Sequence, residues 1–123
     1  KDFKLFIDDF ESSHQQRVIS KDTADEILDS LKLVVSDGTG SLAKLINFEV
    51  AGKTGTSHKP SSKGGYDQNK YIASFAGIAP LKTKRLTIFV NIDEPGLNNY
   101  SGGSVAAPLF AAISKDVLNY LNE

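Results

Sequence analysis

The 123-residue sequence contains no cysteine, no methionine and no tryptophan, and its only histidines are His14 and His58. Without cysteine there are no disulfides, thiolate metal ligands or cysteine nucleophiles, and a metal site would depend on carboxylates. No apolar run approaches the roughly 20 residues needed to cross a bilayer. The formal net charge of −1 provides no general basic field, so we expect no nucleic-acid partner.

The composition that remains, 40% apolar and 24% charged, fits one globular domain. The chain does not begin with methionine, and its first residues carry acids where a signal peptide would be apolar. We therefore expect a piece of a longer protein. Residues 1–19 are poorly assigned, because Phe3, Leu5 and Ile7 alternate like a short strand whereas the polar stretch after them resembles a loop.

Two segments have the apolar periodicity of amphipathic helices. The first follows Ser20, a favourable N-cap, and is expected to end at Gly38 in the turn 37–40. The second follows a loop over 98–104 and has Pro108 in its first turn. Its expected apolar stripe consists of Ala106, Leu109, Phe110, Ile113, Val117 and Leu121.

Three segments are predicted to form strands. One runs from Phe48 to Thr56, and the other two, 71–79 and 86–93, are joined by a short connection that favours an antiparallel hairpin. Residues 57–69 contain proline and glycines without periodicity and are expected to form a loop. The predicted fold class is α/β (α+β), an antiparallel sheet flanked by helices.

The end of the first strand, Gly52-Lys53-Thr54-Gly55-Thr56, is compatible with two chemistries. Its first three residues match the end of a phosphate-binding P-loop, but Asn47 replaces that motif's first glycine and no helix can follow at once. A Lys-Thr-Gly triad on a strand is instead typical of penicillin-recognising enzymes. In that case Lys53 contributes positive charge, Thr54 and Thr56 bond a carboxylate, and Gly55 lets a ligand approach the backbone.

Further short motifs occur in a defined order around this triad. They are Arg17-Val18-Ile19-Ser20, Gly38-Thr39-Gly40, Val50 to Thr56, Ser74-Phe75-Ala76-Gly77, Asp93-Glu94-Pro95, Tyr100-Ser101-Gly102-Gly103 and Ala106 to Phe110. In order and spacing they resemble the C-terminal part of the transpeptidase domain of class B high-molecular-weight penicillin-binding proteins, of the division or elongation type. The resemblance extends over most of the chain.

The resemblance implies a partial β-lactamase/transpeptidase-like fold and a serine-type D,D-transpeptidase that cross-links peptidoglycan stem peptides and is a penicillin target. It assigns substrate binding to Lys53, Thr54, Gly55 and Thr56, and catalysis to Lys53 and Thr56, the latter through an oxyanion-hole N–H. It implies stem peptides and β-lactams as ligands, without metal or cofactor. It also implies a membrane-anchored parent protein at the periplasmic or extracytoplasmic face of the cytoplasmic membrane.

Such an enzyme needs a serine three residues before a lysine on a helix, and a Ser-x-Asn element. No Ser-x-Asn occurs in this sequence, and its single Ser-x-x-Lys, Ser41 to Lys44, ends nine residues before Lys53. About one such match is expected by chance, and we predict a turn there. The chain is therefore expected to carry one wall of the site and to be inactive without the N-terminal part of the domain. A non-catalytic relative or β-lactam sensor, and a nucleotide-binding module, stay open as alternatives.

Several other features receive simpler interpretations. His58 is expected to be a solvated loop residue, Asp93-Glu94 an acidic turn rather than a metal pair, and Gly38-Thr39-Gly40 a helix end rather than an anion-binding nest. The strand 86–93 is expected to have an edge covered by the rest of the domain or by self-association. Whether Tyr66, Tyr71 and the loop Tyr100–Gly103 border the site stays open.

Overall fold

A computed structural model of the chain describes residues 16–82 and 85–121. In this part the element order is α1 (Lys21–Ser36), β1 (Ala51–Pro60), β2 (Tyr66–Ala79), β3 (Leu86–Asp93) and α2 (Ala107–Leu121). A short 3-10 helix, Ser41–Ala43, follows α1, and a single π turn, Gly102–Ala106, precedes α2. The strand-like alternation of Phe3, Leu5 and Ile7 lies outside the described residues.

The three strands form one antiparallel sheet in the order β1-β2-β3. Phe75 in the central strand pairs with Thr54 of β1 and with Val90 of β3. The predicted bounds of β3 and the antiparallel β2–β3 pairing are confirmed. With the two helices this is an α+β arrangement, which confirms the predicted fold class.

The β1–β2 hairpin is longer than predicted. The loop expected over 57–69 is wrong, because β1 continues to Pro60 and β2 begins at Tyr66. The turn needs only residues 61–65, where Gly64 and Gly65 have φ values of 92° and 70°, a conformation that glycine adopts without cost. Residues 57–70, which we call the hairpin extension, have mostly exposed side chains. Because neither face of the extension is buried, its sequence lacks the alternation of apolar and polar residues that predicts a strand. The predicted start of β1 is too early, since the strand begins at Ala51 and not at Phe48.

The core is centred on two phenylalanine rings. Phe75 of β2 and Phe110 of α2 are both fully buried, and their ring centroids are 4.9 Å apart. Glycines make room for them, since a Cβ on Gly52 would lie 2.5 Å from the Phe75 ring and one on Gly77 would lie 2.6 Å from the Phe110 ring. These close approaches determine how near α2 packs to the sheet beside the Lys-Thr-Gly segment.

Helix α1 begins as predicted and ends differently. The Ser20 hydroxyl accepts the Thr23 N–H at 3.1 Å, which is the expected N-cap. The C-cap is Asp37 rather than Gly38. The φ angle of Gly38 is not positive. Instead, this glycine is required because a Cβ would lie 2.9 Å from the Val34 Cα atom.

The buried face at α2 coincides only in part with the predicted stripe, of which Ala106 and Phe110 are fully buried. The buried side chains are Ala107, Phe110, Ser114 and Leu118, whereas Leu109, Ile113 and Leu121 are exposed. Apolar residues lie on more than one side of this helix, and the preceding π turn changes the phase at which α2 begins. Pro108 lies in the first turn, as predicted. Neither helix has the length and hydropathy needed to cross a membrane.

Candidate active-site wall

The Lys-Thr-Gly-Thr segment lies in the middle of β1, an edge strand of the described sheet. Its residues 53–56 pair in order with Ala76, Phe75, Ser74 and Ala73 of β2. Strand alternation places Thr54 and Thr56 on one face, and Lys53 and Gly55 on the other. The two hydroxyls therefore project from the same face as Phe75, whose ring packs against α2.

The Lys53 ammonium group reaches the Thr54 hydroxyl although the two side chains start on opposite faces. Its Nζ atom donates to the Thr54 carbonyl at 3.1 Å and lies 3.4 Å from the Thr54 Oγ1 atom. The Lys53 side chain is exposed. An ammonium group beside a hydroxyl at an open strand edge is suited to binding an anion.

The loop before α2 contacts the same segment. The Gly102 N–H donates to the Thr56 Oγ1 atom at 3.0 Å. A Cβ at position 102 would lie 2.2 Å from the Ser74 carbonyl oxygen and 2.4 Å from that of Gly55, so only glycine lets the loop approach the strand this closely. This contact answers the question left open by the sequence, because the loop Tyr100–Gly103 does border the segment.

Thr39 contacts the candidate site, which the sequence interpretation does not predict. Its Oγ1 atom is 3.0 Å from the Thr54 Oγ1 atom. The sequence Gly38-Thr39-Gly40 is interpreted as a helix end. The only local indication of a further role is the threonine hydroxyl between two glycines. The turn also packs against the loop before α2, since a Cβ on Gly103 would lie 2.3 Å from the Thr39 carbonyl oxygen.

Three aromatic rings lie together at His58, two residues after Thr56 in β1. The Tyr71 and Tyr100 rings are 4.0 Å apart and stacked, and the His58 ring is 4.5 Å from Tyr71 and tilted. The expectation of a solvated loop histidine is wrong, because His58 is in β1, is partly buried and has its Nδ1 atom 3.1 Å from the Asp67 carbonyl oxygen. Tyr66 is at the start of β2 and is exposed.

A cluster of opposite charges joins the hairpin extension to the end of β3. Lys59 Nζ lies 2.7 Å from an Asp93 oxygen and 2.8 Å from a Glu94 oxygen, and Lys70 lies 3.3 Å from Glu94. The hydrogen bonds with Asp93 and Glu94 raise the pKa of Lys59 above its ordinary value. The hydrogen bond from Lys59, and to a smaller extent that from Lys70, lowers the pKa of Glu94 below its ordinary value. Asp93 and Glu94 thus bind lysines, and residues 16–82 and 85–121 contain no group of three or more possible metal ligands.

The local geometry favours neither a serine nucleophile at Ser41 nor a phosphate-binding P-loop at Gly52-Lys53-Thr54. Ser41 belongs to a three-residue 3-10 turn, as predicted, and not to the α-helix on which a Ser-x-x-Lys nucleophile would lie. Gly52, Lys53 and Thr54 are paired within the sheet, whereas a P-loop needs free N–H groups that surround a phosphate before a helix.

Comparison with known proteins identifies the family of the chain. Residues 6–115 match the family model described as the penicillin binding protein transpeptidase domain. The chain belongs to this family of transpeptidase domains. Its relatives include the "Peptidoglycan D,D-transpeptidase FtsI homolog" of Chlorokybus atmophyticus, 36% identical over 110 residues, and the "Stage V sporulation protein D" of Bacillus subtilis, 39% identical over 104 residues. These relatives are class B penicillin-binding proteins, which confirms the resemblance seen in the sequence.

The matches cover most of this chain and a minor part of each relative. The two curated relatives match 89% and 85% of the chain, which spans 16% of the length of each. The transpeptidase domain of penicillin-binding protein 3 from Burkholderia pseudomallei is similar in structure, with a TM-score of 0.76 and 42% sequence identity. That comparison covers 87% of this chain and 32% of the other.

Proposed function

We propose that this chain is the C-terminal part of the transpeptidase domain of a peptidoglycan D,D-transpeptidase and forms the wall that binds the substrate carboxylate. The observation that carries the proposal is the meeting of the Lys53 ammonium group with the Thr54 hydroxyl at an open strand edge. The Thr56 hydroxyl projects from the same face two residues later. The family supplies the reaction class, in which a serine attacks the D-Ala-D-Ala end of a stem peptide.

Each residue of the segment has a role in this proposal. Lys53 attracts the terminal carboxylate of a stem peptide or a β-lactam, and the hydroxyls of Thr54 and Thr56 bond it. Gly55 has no side chain to separate the substrate from the strand. The Thr56 N–H is proposed as one donor of the oxyanion hole, where removal of a single donor costs about 3–4 kcal/mol of barrier stabilisation.

The remaining catalytic groups are proposed to come from the N-terminal part of the same domain. No Ser-x-Asn occurs in this chain, and its one Ser-x-x-Lys lies in a 3-10 turn. The parent protein, meaning the full-length transpeptidase that contains this chain, is proposed to be membrane-anchored and to act outside the cytoplasmic membrane. The 123-residue chain alone is expected to be inactive.

Covalent labelling with a fluorescent penicillin tests this function. The parent protein should be labelled, and replacement of its Ser-x-x-Lys serine by alanine should abolish the label. Lys53→Gln should slow labelling, whereas Lys63→Gln, at an exposed lysine in the hairpin turn, should not. Labelling of the isolated chain at Ser41 would overturn the proposal. A parent protein that binds penicillin without forming a covalent label would instead be a non-catalytic relative.

A further inference from the structure

Thr39 contacts the carboxylate-binding segment from a separate part of the chain. It lies in the turn between α1 and the 3-10 helix, 15 residues before Thr54, and the two hydroxyl oxygens are 3.0 Å apart. The Thr39 side chain is exposed. The Lys-Thr-Gly motif itself gives Thr39 no role, so the contact calls for its own explanation.

The backbone around Thr39 is fixed on three sides. A Cβ on Gly38 would lie 2.9 Å from the Val34 Cα atom, and one on Gly40 would lie 3.1 Å from the Phe75 ring. The Gly40 N–H also donates to the Val34 carbonyl at 2.9 Å. On the third side, Gly103 approaches the Thr39 carbonyl so closely that a Cβ would lie 2.3 Å from it. These contacts fix the backbone from which the Thr39 side chain reaches Thr54.

The donor and acceptor capacity of the hydroxyls determines what this contact can do. A threonine hydroxyl has one proton to donate and two lone pairs that accept, whereas an ammonium group only donates. Thr54 Oγ1 is therefore an acceptor toward Lys53. If Thr39 donates as well, the Thr54 proton is free for a third group. If Thr39 accepts, it consumes the proton that a substrate carboxylate needs.

We propose that Thr39 is a positioning residue for carboxylate recognition, and that its hydroxyl donates to Thr54 so that Thr54 directs its own proton to the substrate carboxylate. The inference rests on the proposed function of this segment. A donor chain from Thr39 through Thr54 to the carboxylate polarises each bond in turn and strengthens the last one. Removal of the Thr39 hydroxyl should therefore weaken the recognition of a charged carboxylate and leave other substrate contacts unchanged.

The test compares acylation of the parent protein by a penicillin and by the methyl ester of the same penicillin, which lacks the charged carboxylate. Thr39→Val should lower the acylation rate with the free carboxylate about three- to tenfold, which corresponds to the loss of one hydrogen bond. It should change the rate with the ester less than about twofold. Thr39→Ser keeps the hydroxyl and should restore the ratio of the two rates. Thr87→Val, at a threonine of β3 away from this segment, is the matched control.

The ratio of the two rates is the readout, because a loss of folded protein lowers both rates equally. An equal loss on both substrates, seen also in Thr39→Ala, would mean that Thr39 only packs, and would overturn the inference. A wild-type ratio in Thr39→Val would overturn it too, while leaving the proposed function intact. If the unsubstituted parent protein is acylated by neither compound, the proposed function fails and this inference fails with it.

Discussion

Replacement of Gly102 by alanine should disconnect the loop before α2 from Thr56. The new Cβ atom would lie 2.2 Å from the Ser74 carbonyl oxygen and 2.4 Å from that of Gly55. Carbon and oxygen atoms of neighbouring strands normally approach to about 3.3 Å, so the loop must retreat by about 1 Å. Neither carbonyl can move away instead, because Gly55 and Ser74 are paired with each other in the sheet.

The retreat has two consequences of different size. The distance from the Gly102 N–H to the Thr56 hydroxyl would rise from 3.0 Å to about 4 Å, which is too long for a hydrogen bond. Overpacking of this kind costs about 1–3 kcal/mol of stability. For acylation the effect is larger, since a misplacement of about 1 Å beside reacting groups costs up to about a hundredfold in rate. We expect a loss of about 10- to 100-fold.

The assay is the second-order rate of acylation of the parent protein by a fluorescent penicillin, together with its thermal midpoint. Gly64→Ala is the matched control, because Gly64 has a φ of 92° and a methyl group added there would meet nothing within 4 Å. That control should lose about 1–2 kcal/mol to backbone strain and retain its acylation rate. An acylation rate of Gly102→Ala within about twofold of wild type would show that the loop does not position Thr56.

Two other predictions concern stability. Phe110→Ala should destabilise the parent domain by about 3–5 kcal/mol, measured by urea unfolding, because the fully buried ring packs against Phe75; a loss below about 1 kcal/mol would contradict this core. Lys59→Met should lower the urea midpoint at pH 7 by removing the ion pairs with Asp93 and Glu94. Because the pKa of Glu94 is lowered from 4.5, the difference from wild type should disappear as the pH falls below that value. Because the pKa of Lys59 is raised from 10.5, the difference in urea midpoint should also diminish as the pH rises above 10.5. A difference that is constant from pH 3 to pH 8 would refute the ion-pair explanation.

The elements that the sequence predicts correctly are those whose local chemistry agrees with their packing. Ser20 caps α1 because its hydroxyl is followed by a free N–H three residues later, and this is visible in the sequence. The predicted bounds of β3 match the observed ones since its alternation is interrupted by Glu94 and Pro95. In both cases the signal lies within a few neighbouring residues.

The errors occur where distant contacts decide the structure. The hairpin extension has no buried face, so its strands depend on pairing between residues 57–60 and 66–72 rather than on apolar alternation. The buried face of α2 depends on the phase set by the π turn and on the glycines that admit Phe110. Thr39 joins the site through a contact 15 residues away in sequence, which no local pattern contains.

The exposed turn between β1 and β2 is a convenient attachment point for a probe. Ser62 is exposed in that turn, and the sequence contains no cysteine. A cysteine introduced at Ser62 would thus be the only thiol in these 123 residues. A dye attached to it would lie beyond the ion pairs of Lys59. Because β1 connects this turn directly to Thr56, the dye would report whether the strand proposed to bind the carboxylate moves when the parent protein is treated with a penicillin.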